Sequence, residues 1–394
     1  MLQRWRRSMT PRVWAELDPQ ALRHNLAQVR ARVGSARIMA VIKANGYGHG
    51  AVWAARCLRE LRGPGQEGRR APWEADAFAV ACLEEALALR AARVQAPMVI
   101  LEGVLSVEEA RVCLREKLEV VVHDHWQLAL MEELPRGAEA RIWIKIDSGM
   151  RRLGFPLEAV PAVLERLQAR PEWKLCGAMT HLASADEDAD SALLQAQRFD
   201  TALGGARLPR SIANSAGVLA DDTLHRDWVR PGLMLYGMSP RGDQDAAALG
   251  LRPVMTLHSR VLAIRDCVAG DAVGYGGTHV CQAPTRVATV AVGYADGFQR
   301  ALSNCGSMLL HGQRVPVIGR VSMDMTAIDV TALPAAAVGD VVTLWGEGLP
   351  AEEQARAAGT LAYELCAGLT QRVHLQSRAA ASDQAALSEA VARY

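Results

Sequence analysis

Short apolar runs alternate with amphipathic segments from Arg12 to about Leu235, and this alternation predicts strands that are each followed by a helix. The strand candidates are residues 13–17, 38–42, 77–80, 98–101, 120–122, 142–146 and 175–180. About eight such units in a little over two hundred residues predict a closed (β/α)8 barrel of the TIM type. A doubly wound open sheet has the same local pattern and stays open as the alternative.

The first amphipathic segment shows how the helices are assigned. Asp18 is suited to the N-cap position, and Pro19 is suited to the first helical position. Four apolar side chains then recur at helical spacing, namely Leu22, Leu26, Val29 and Val33. We expect this apolar face to lie against a sheet.

Beyond residue 244 the pattern changes to short Val- and Thr-rich runs, such as 286–292 and 341–344, which are separated by glycine-containing turns. These runs predict a mostly β C-terminal domain, with a helical segment at 351–368. We therefore expect a tail at 1–11, a barrel at 12–250 and a β domain at 251–394. The polar stretch 63–74 is expected to be a surface loop.

Charge and cysteine usage narrow the class of protein. The 44 Lys and Arg residues nearly balance the 43 Asp and Glu residues, which argues against a nucleic-acid or membrane partner and favours a small molecule. The eight cysteines form no CxxC pair or zinc-type cluster, so we expect reduced thiols and no metal. The basic start lacks an apolar stretch, and a cytoplasmic location is expected.

Lys43 follows the apolar run 38–42 directly and precedes the glycine-rich run 44–50. The carboxyl end of a barrel strand is where barrel enzymes carry their catalytic groups. Burial at such a position favours the neutral amine, which can form a Schiff base with an aldehyde. A lysine that extends its ammonium group from the strand end into water is the alternative interpretation.

Three further strand candidates end in polar side chains, namely Lys145, His181 and Arg230. Each has an ordinary structural interpretation: Lys145 as a salt pair with Asp147, His181 as a core histidine, and Arg230 as a surface charge. Because the carboxyl ends of barrel strands share one rim, the three residues and Lys43 together predict a site there.

The run 40–50, Ala-Val-Ile-Lys-Ala-Asn-Gly-Tyr-Gly-His-Gly, closely resembles the cofactor-lysine motif of alanine racemases, which are fold-type III pyridoxal-phosphate enzymes. The resemblance continues in order at 145–150, 152–154, 180–181, 214–216, 229–232, 274–276, 292–297, 319–324 and 363–366. It implies a barrel followed by a mostly β domain, in a head-to-tail homodimer with shared sites. Near the end of the given sequence, the chain departs from the family pattern at His374 and Leu375, where relatives usually carry proline and a further arginine.

The resemblance implies that the chain interconverts L-alanine and D-alanine with pyridoxal 5'-phosphate as its cofactor. Racemisation removes the α-proton from one face and returns a proton on the other, which requires two acid/base groups. The resemblance assigns these roles to Lys43, which also binds the cofactor covalently, and to Tyr275 of the partner subunit. A network through His181 towards Arg230 is implied to assist Tyr275.

Further residues receive roles from the resemblance. Arg230 is implied to lie beside the pyridine nitrogen, where a permanent cation disfavours ring protonation. Arg152 matches an arginine near the cofactor's phenolic oxygen and the substrate carboxylate. Lys145 matches a lysine that is often carbamylated in this family.

The remaining implied site residues come from both halves of the chain. The cofactor-binding positions are Tyr47, Asn214, Ser215, Gly232, Leu233 and Tyr363. Met323 of the partner subunit matches a backbone donor to the substrate carboxylate, and Asp324 and Tyr294 match supporting positions. Tyr275, Tyr294 and Tyr363 are implied to narrow the entrance to the site.

Three alternative functions are weighed. A fold-type III decarboxylase would place a carboxylate at the ring nitrogen, and Arg230 in its Val-Arg-Pro-Gly setting counts against that class. A non-enzymatic cofactor carrier with a single barrel would not need the roughly 140 residues beyond Arg252. A serine or broad-spectrum racemase is the nearer alternative, because an apolar pocket excludes an added hydroxyl only weakly.

Overall fold

The computed structural model describes residues 10–59, 71–242 and 244–378. These residues form two compact units, one from Gln20 to Arg252 and the other from the residues up to Pro19 together with those from Pro253 onward. Most of the predicted tail, and residues 63–70 of the predicted surface loop, lie outside the described residues.

Eight parallel strands of the first unit close into a ring, which confirms the barrel and excludes the open sheet. In chain order they are β2 (Arg37–Val41), β3 (Ala77–Val80), β4 (Met98–Ile100), β5 (Glu119–Val122), β6 (Arg141–Lys145), β7 (Lys174–Met179), β8 (Arg210–Asn214) and β9 (Trp228–Arg230). Each strand pairs with the next, and β9 closes the ring on β2. The carboxyl ends of all eight strands therefore meet at one rim.

Helices and short 3-10 turns precede, connect and follow the barrel strands. They are Pro19–Val33, Ala51–Cys57, Leu83–Ala91, Val107–Arg115, His125–Glu132, Val160–Gln168, Ala189–Leu203 and Ser215–Ala220, with 3-10 turns at Leu157–Ala159, Asp222–Leu224 and Leu233–Tyr236. The first helix begins at Pro19, as predicted. Leu22, Leu26 and Val29 are fully buried on its predicted apolar face.

Large apolar side chains fill the barrel interior, including Trp143 and Trp228, whose rings meet edge to face at 5.9 Å. The indole nitrogen of Trp143 donates to Glu119 Oε2 at 2.7 Å. A Cβ at Gly177 would lie 2.5 Å from the Trp143 ring, so only glycine fits there. The interior is thus a packed core, which leaves the rim as the place for chemistry.

The second unit is built on a sheet whose strands are β1 (Trp14–Leu17), β10 (Met255–Cys267), β13 (Thr285–Val290), β14 (Ser307–Leu310), β15 (Gln313–Ile318), β16 (Thr326–Asp329), β17 (Val341–Trp345) and β18 (His374–Ser377). These eight strands lie in the order β13-β16-β15-β14-β17-β10-β1-β18, and β13 also pairs with β10. A small hairpin of β11 (Ala272–Val273) and β12 (His279–Val280) accompanies them. Short 3-10 turns lie at Tyr275–Gly277, Tyr294–Asp296 and Arg300–Leu302, and two helices at Ala351–Ala358 and Ala362–Ala367. This confirms the predicted mostly β domain.

The first strand corrects one expectation. We placed residues 13–17 in the barrel, but Trp14–Leu17 pairs antiparallel with Met255–Cys267 and parallel with His374–Ser377. An apolar run followed by a helix has the same local pattern in either location, because only the distant partner strands decide which sheet it joins. The ring of eight is instead completed by its seventh strand, Arg210–Asn214, which the sequence pattern missed.

Candidate active site

The rim of the barrel brings together the four polar residues predicted from strand ends. Lys145 and Arg230 end their strands, whereas Lys43 and His181 follow theirs within two residues. Burial, followed by the charges of the nearby cations Arg230, Arg152 and Lys43, lowers the pKa of the Lys145 ammonium to about 8. The rim is therefore a cationic cluster in which Lys145 and Arg230 are buried, and it favours an anionic ligand.

Arg230 is the most buried of these cations and has a fixed orientation. Its Nη1 donates to Ser211 Oγ at 2.6 Å, and its Nη2 donates to the carbonyl oxygens of Thr180 and, at 3.3 Å, Ile212. Among the described residues, no carboxylate lies within ion-pair distance of Arg230. Burial lowers the pKa of the guanidinium to about 10, so it stays charged at neutral pH.

His181 faces Arg230 through its Nδ1, at 3.5 Å from Arg230 Nη2. Because a guanidinium can only donate, Nδ1 must be the acceptor, and the neutral ring carries its proton on Nε2. Burial, followed by the charge of Arg230, holds the pKa of His181 well below its ordinary value. The imidazole is therefore a neutral hydrogen-bonding group at this rim.

Lys43 leads into an unusual turn. Ala44, Asn45, Gly46 and Tyr47 have φ values of 50°, 51°, 62° and 52°, all in the left-handed region. Side chains other than glycine avoid this region, and residues held there concentrate at functional sites. The turn places Tyr47 close beside Gly232. A Cβ added at Gly232 would overlap the Tyr47 hydroxyl, so only glycine allows this approach.

A group of hydroxyl and backbone donors lies where β8, the seventh strand of the barrel, ends. Ser215 Oγ accepts hydrogen bonds from the backbone N–H groups of Gly232 at 2.9 Å and Met234 at 3.3 Å. Asn214 caps the short helix that follows, accepting from Gly217 N at 2.9 Å. The structure thus brings Ser215 and Gly232 together, with Leu233 next in the chain.

Arg152 lies on the loop that follows β6 and is exposed. Asp147 shapes this loop, since its Oδ1 accepts from Gly149 N at 2.9 Å and Arg151 N at 3.0 Å. Its only ion pair within the described chain is with Arg151, at 3.9 Å. The salt pair between Lys145 and Asp147, considered as an alternative, is therefore absent from the described part.

The other predicted site residues belong to the second unit and are exposed there. The exposed fractions of Tyr275, Tyr294 and Met323 are 74%, 43% and 52%, and that of Tyr363 is 37%. Tyr294 and Met323 lie on touching segments, because Ala295 N donates to Met323 O at 3.0 Å. We call these four exposed residues, Tyr275, Tyr294, Met323 and Tyr363, the displayed group.

The second unit also contains an ion-pair network that the sequence did not reveal. Asp296 is only 1% exposed, and its Oδ1 lies 2.5 Å from Arg12 Nη2 and 3.1 Å from Arg372 Nε. Arg372 Nη2 also contacts Asp324 Oδ1 at 2.6 Å. Arg372 lies next to the segment that departs from the family pattern, and no local signal marked it.

Ser211 and Glu85 are functional candidates that the sequence analysis missed. Ser211 orients Arg230 from the unrecognised strand Arg210–Asn214. Glu85 accepts from Ala44 N at 2.6 Å, directly beyond Lys43. Within the part of the chain that the structure describes, no helix is long and apolar enough to cross a membrane, and no group of His, Cys, Asp and Glu side chains could hold a metal ion.

A closed barrel with a lysine beyond its first strand and a carboxylate-free buried arginine at the end of its eighth defines a (β/α)8-barrel enzyme with a lysine-centred site. Residues 17–240 match the family description "Alanine racemase, N-terminal domain", and residues 254–377 match "Alanine racemase, C-terminal domain". The chain belongs to the alanine racemase family, whose members are isomerases.

Relatives support this assignment over nearly the full length. The alanine racemase of Thioalkalivibrio sulfidiphilus is 44% identical over 368 residues, covering 92% of this chain and 98% of that protein. The crystal structure of the biosynthetic alanine racemase of Pseudomonas aeruginosa matches with a TM-score of 0.88 at 38% identity, covering 94% and 100% of the two chains. The crystal structure of the alanine racemase of Bartonella henselae, described with covalently bound pyridoxal phosphate, matches with a TM-score of 0.83 at 27% identity. The match covers 93% of this chain and 100% of that one.

Proposed function

We propose that this chain interconverts L-alanine and D-alanine with pyridoxal 5'-phosphate, using Lys43 and Tyr275 of the partner subunit as the two bases. The observation that carries the proposal is the buried Arg230, held by Ser211 and two carbonyl oxygens without a carboxylate among the described residues. A permanent cation beside the ring nitrogen favours proton transfer over other reactions of the cofactor. A decarboxylase-type site would need an acidic group there.

The residues present fit this cofactor in four respects. Lys43 supplies the amine that an aldehyde requires. Arg230 supplies a fixed cation for the ring nitrogen. Tyr47 and Ser215 supply hydroxyl groups for the phosphate, and the approach of Tyr47 to Gly232 is possible only because Gly232 has no Cβ. The cationic rim around Lys145 suits the anionic phosphate and the substrate carboxylate.

Bound pyridoxal phosphate supplies a conjugated ring that delocalises the charge left at Cα when the α-proton is removed. The Lys43 amine takes or returns the proton on one face of Cα, and the Tyr275 hydroxyl of the partner subunit does so on the other. Arg152 and the Met323 backbone of the partner subunit hold the substrate carboxylate, so that Cα faces both bases.

Other residues tune these groups. His181, neutral and bonded to Arg230, supports the Tyr275 phenol of the partner subunit. Lys145 has a pKa of about 8, which is about one unit above neutral pH. About a tenth of its amine is therefore neutral near pH 7. That fraction can react with carbon dioxide to give a carbamate, which pairs with Arg152.

The second unit supports a homodimer with shared sites. Tyr275, Tyr294 and Met323 expose much of their surface, as expected of residues that complete the site of another copy. Asp324 follows Met323 in the chain and supports it. Tyr275, Tyr294 and Tyr363 narrow the entrance to the site, so that it admits only a small substrate. Gly274 and Gly276 flank Tyr275 at φ 71°, so the tyrosine is presented on a tight turn. A cytoplasmic location stays a prediction.

The experiment that tests the function is a substrate panel assayed by deuterium incorporation at Cα in heavy water. We expect a yellow protein that incorporates deuterium into L- and D-alanine and converts each enantiomer into the other. L-serine and larger amino acids serve as comparison substrates. A purified protein that takes up no pyridoxal phosphate, or that exchanges serine faster than alanine, would contradict the proposal.

A further inference from the structure

The turn that follows Lys43 requires support from outside itself. Ala44, Asn45 and Tyr47 have φ values near 50°, and each carries a side chain. A left-handed path is unfavourable for L-residues, so an unsupported chain would leave it for the right-handed region. Since Lys43 immediately precedes these residues, any change in the turn redirects the lysine side chain.

Glu85 supports the beginning of the turn. It lies in the first turn of the helix Leu83–Ala91, and its Oε1 accepts from Ala44 N at 2.6 Å. Its Oε2 accepts from Ala81 N at 2.8 Å. Hydrogen bonds to a carboxylate are shorter and stronger than those between neutral groups. One carboxylate therefore ties the first peptide after Lys43 to the segment that follows the neighbouring strand β3.

His49 supports the end of the turn from within the protein. It is fully buried, and its Nδ1 lies 2.8 Å from Tyr47 O and 3.2 Å from Gly46 O. Carbonyl oxygens only accept, so Nδ1 must carry the proton. Its Nε2 is then a bare acceptor, and it has no hydrogen-bond partner in the described chain. Burial lowers the pKa of His49 to about 4, so the ring stays neutral.

The His49 ring also fixes the neighbouring aromatic side chains. It lies 4.5 Å from the ring of the buried Tyr236, which lies 4.9 Å from the ring of Tyr47. Tyr236 OH donates to Val41 O at 3.3 Å, at the end of the strand that leads to Lys43. The turn is therefore held at both ends and along one side.

We propose that Glu85 and His49 are positioning residues that hold the left-handed turn, so that Lys43 and Tyr47 meet the cofactor in a fixed direction. This inference rests on the proposed function for its consequence, whereas the support of the turn itself does not require a cofactor. Neither residue touches the reacting atoms, and each acts through the backbone of residues 44–47.

The first test replaces Glu85 with Gln, whose amide keeps only one acceptor oxygen, so that one of the two backbone N–H groups loses its partner. The rate at which Lys43 binds added pyridoxal phosphate covalently, called capture here, is measured by borohydride reduction and mass spectrometry of the peptide that contains Lys43. We expect Glu85→Gln to slow capture by about 10- to 100-fold, the range that a small misplacement costs. Glu84→Gln, on the exposed side of the same helical turn, is the matched control and should leave capture unchanged.

Hydrogen exchange of the cofactor-free protein provides the second readout. We expect the peptide that contains Ala44 to exchange faster in Glu85→Gln than in Glu84→Gln. Equal capture and equal exchange in the two variants would overturn the role of Glu85. If the unaltered protein captures no cofactor, the proposed function fails, and the exchange result still decides whether Glu85 holds the turn.

Two substitutions of His49 distinguish support from proton transfer. Asn places its amide nitrogen near the position of Nδ1, whereas Gln places it near that of Nε2. We expect His49→Asn to capture the cofactor at the rate of the unaltered protein. His49→Gln should capture it about 10-fold more slowly, because the turn is displaced. Equal capture by both variants, or faster capture by His49→Gln, would overturn the role of His49.

Discussion

The barrel rim and the displayed group of the second unit carry the two halves of the proposed chemistry in opposite ways. At the rim, Arg230 is buried and fixed by bonds within its own unit, and Lys145 is nearly as buried. In the second unit, Tyr275 exposes 74% of its surface. One half is therefore preorganised by burial, whereas the other is held by its backbone and exposes its side chains.

The ion-pair network explains how exposed residues are held in place. Asp296 Oδ2 accepts from Gly293 N at 3.0 Å, and its Oδ1 meets two arginines, one of them Arg372. Arg372 also reaches Asp324, which follows Met323 in the chain. Tyr294 and Met323 are thus fixed through buried charge beneath them, although their own side chains are not covered.

Replacing Lys43 with Ala should have the largest effect, because it removes the covalent attachment and one base together. We expect no trapped cofactor at this position and a loss of racemisation of at least about 10⁴-fold, the upper range for a lost proton-transfer group. The absorbance of the bound cofactor near the visible edge measures the first effect, and the rate of D-alanine formation from L-alanine measures the second. Retention of either one would break the assignment of the first half to the rim.

Tyr275→Phe should separate the two halves. It removes only the phenolic hydroxyl, so cofactor capture at Lys43 should match that of the unaltered protein. Removal of the α-proton from L-alanine should fall by about 10²- to 10⁴-fold. Deuterium exchange at Cα, started from each enantiomer, measures this effect. Equal and mild losses in the two directions would contradict a two-base assignment.

Lys145→Met tests the burial of charge at the rim through its pH dependence. The Lys145 pKa is about 8 in the folded protein and 10.5 in an unfolded chain, so the unfolded state binds more protons between these values. Stability therefore rises with pH in that window, and the cost of burying the ammonium, about 3 kcal/mol, is fully present below pH 8. Without cofactor or carbon dioxide, the variant should be more stable at pH 7, by less at pH 9.5.

Urea unfolding at the two pH values measures this difference in the free energy of unfolding. A gap between variant and parent that stays constant from pH 7 to pH 9.5 would show that the Lys145 ammonium is not destabilised by its surroundings.

Asp296→Asn should have the smallest effect and should act on the second half alone. Its arginine partners are about a third or more exposed, so we expect a loss of stability of only about 1 kcal/mol. Because Met323 shifts, the KM for alanine should rise while cofactor capture stays constant. Asp266→Asn, on an exposed position of β10, is the control. A change in capture would link the network to the rim.

The sequence predicted the barrel and its rim residues well because both follow from local pattern. An apolar run that ends in Lys43 or Lys145 defines the strand and its carboxyl end at once. The sheet that receives Trp14–Leu17 could not be predicted, since its partners lie more than 200 residues away. The strand Arg210–Asn214 escaped notice because polar residues occupy its first two positions and its last.

The contacts of Glu85 and Asp296 could not be predicted for a different reason. Each is a carboxylate whose partners are brought to it by the fold. Glu85 accepts from two backbone N–H groups, and Asp296 pairs with one arginine that precedes the barrel and one that follows it. Nothing in spacing distinguishes such a residue from Glu84, which is exposed beside Glu85. The roles of Tyr275, Met323 and Tyr363 remain predictions; Tyr275→Phe addresses the first and Asp296→Asn the second.

The placement of Trp14–Leu17 has a consequence for how the protein is made and divided. During synthesis this strand emerges before the barrel strands, yet both of its neighbours belong to residues translated after the whole barrel. His374–Ser377 has no other neighbour in the described sheet. A fragment starting at residue 253 would therefore leave that last strand without a hydrogen-bonded edge, and a cut between the units would not yield two independent proteins.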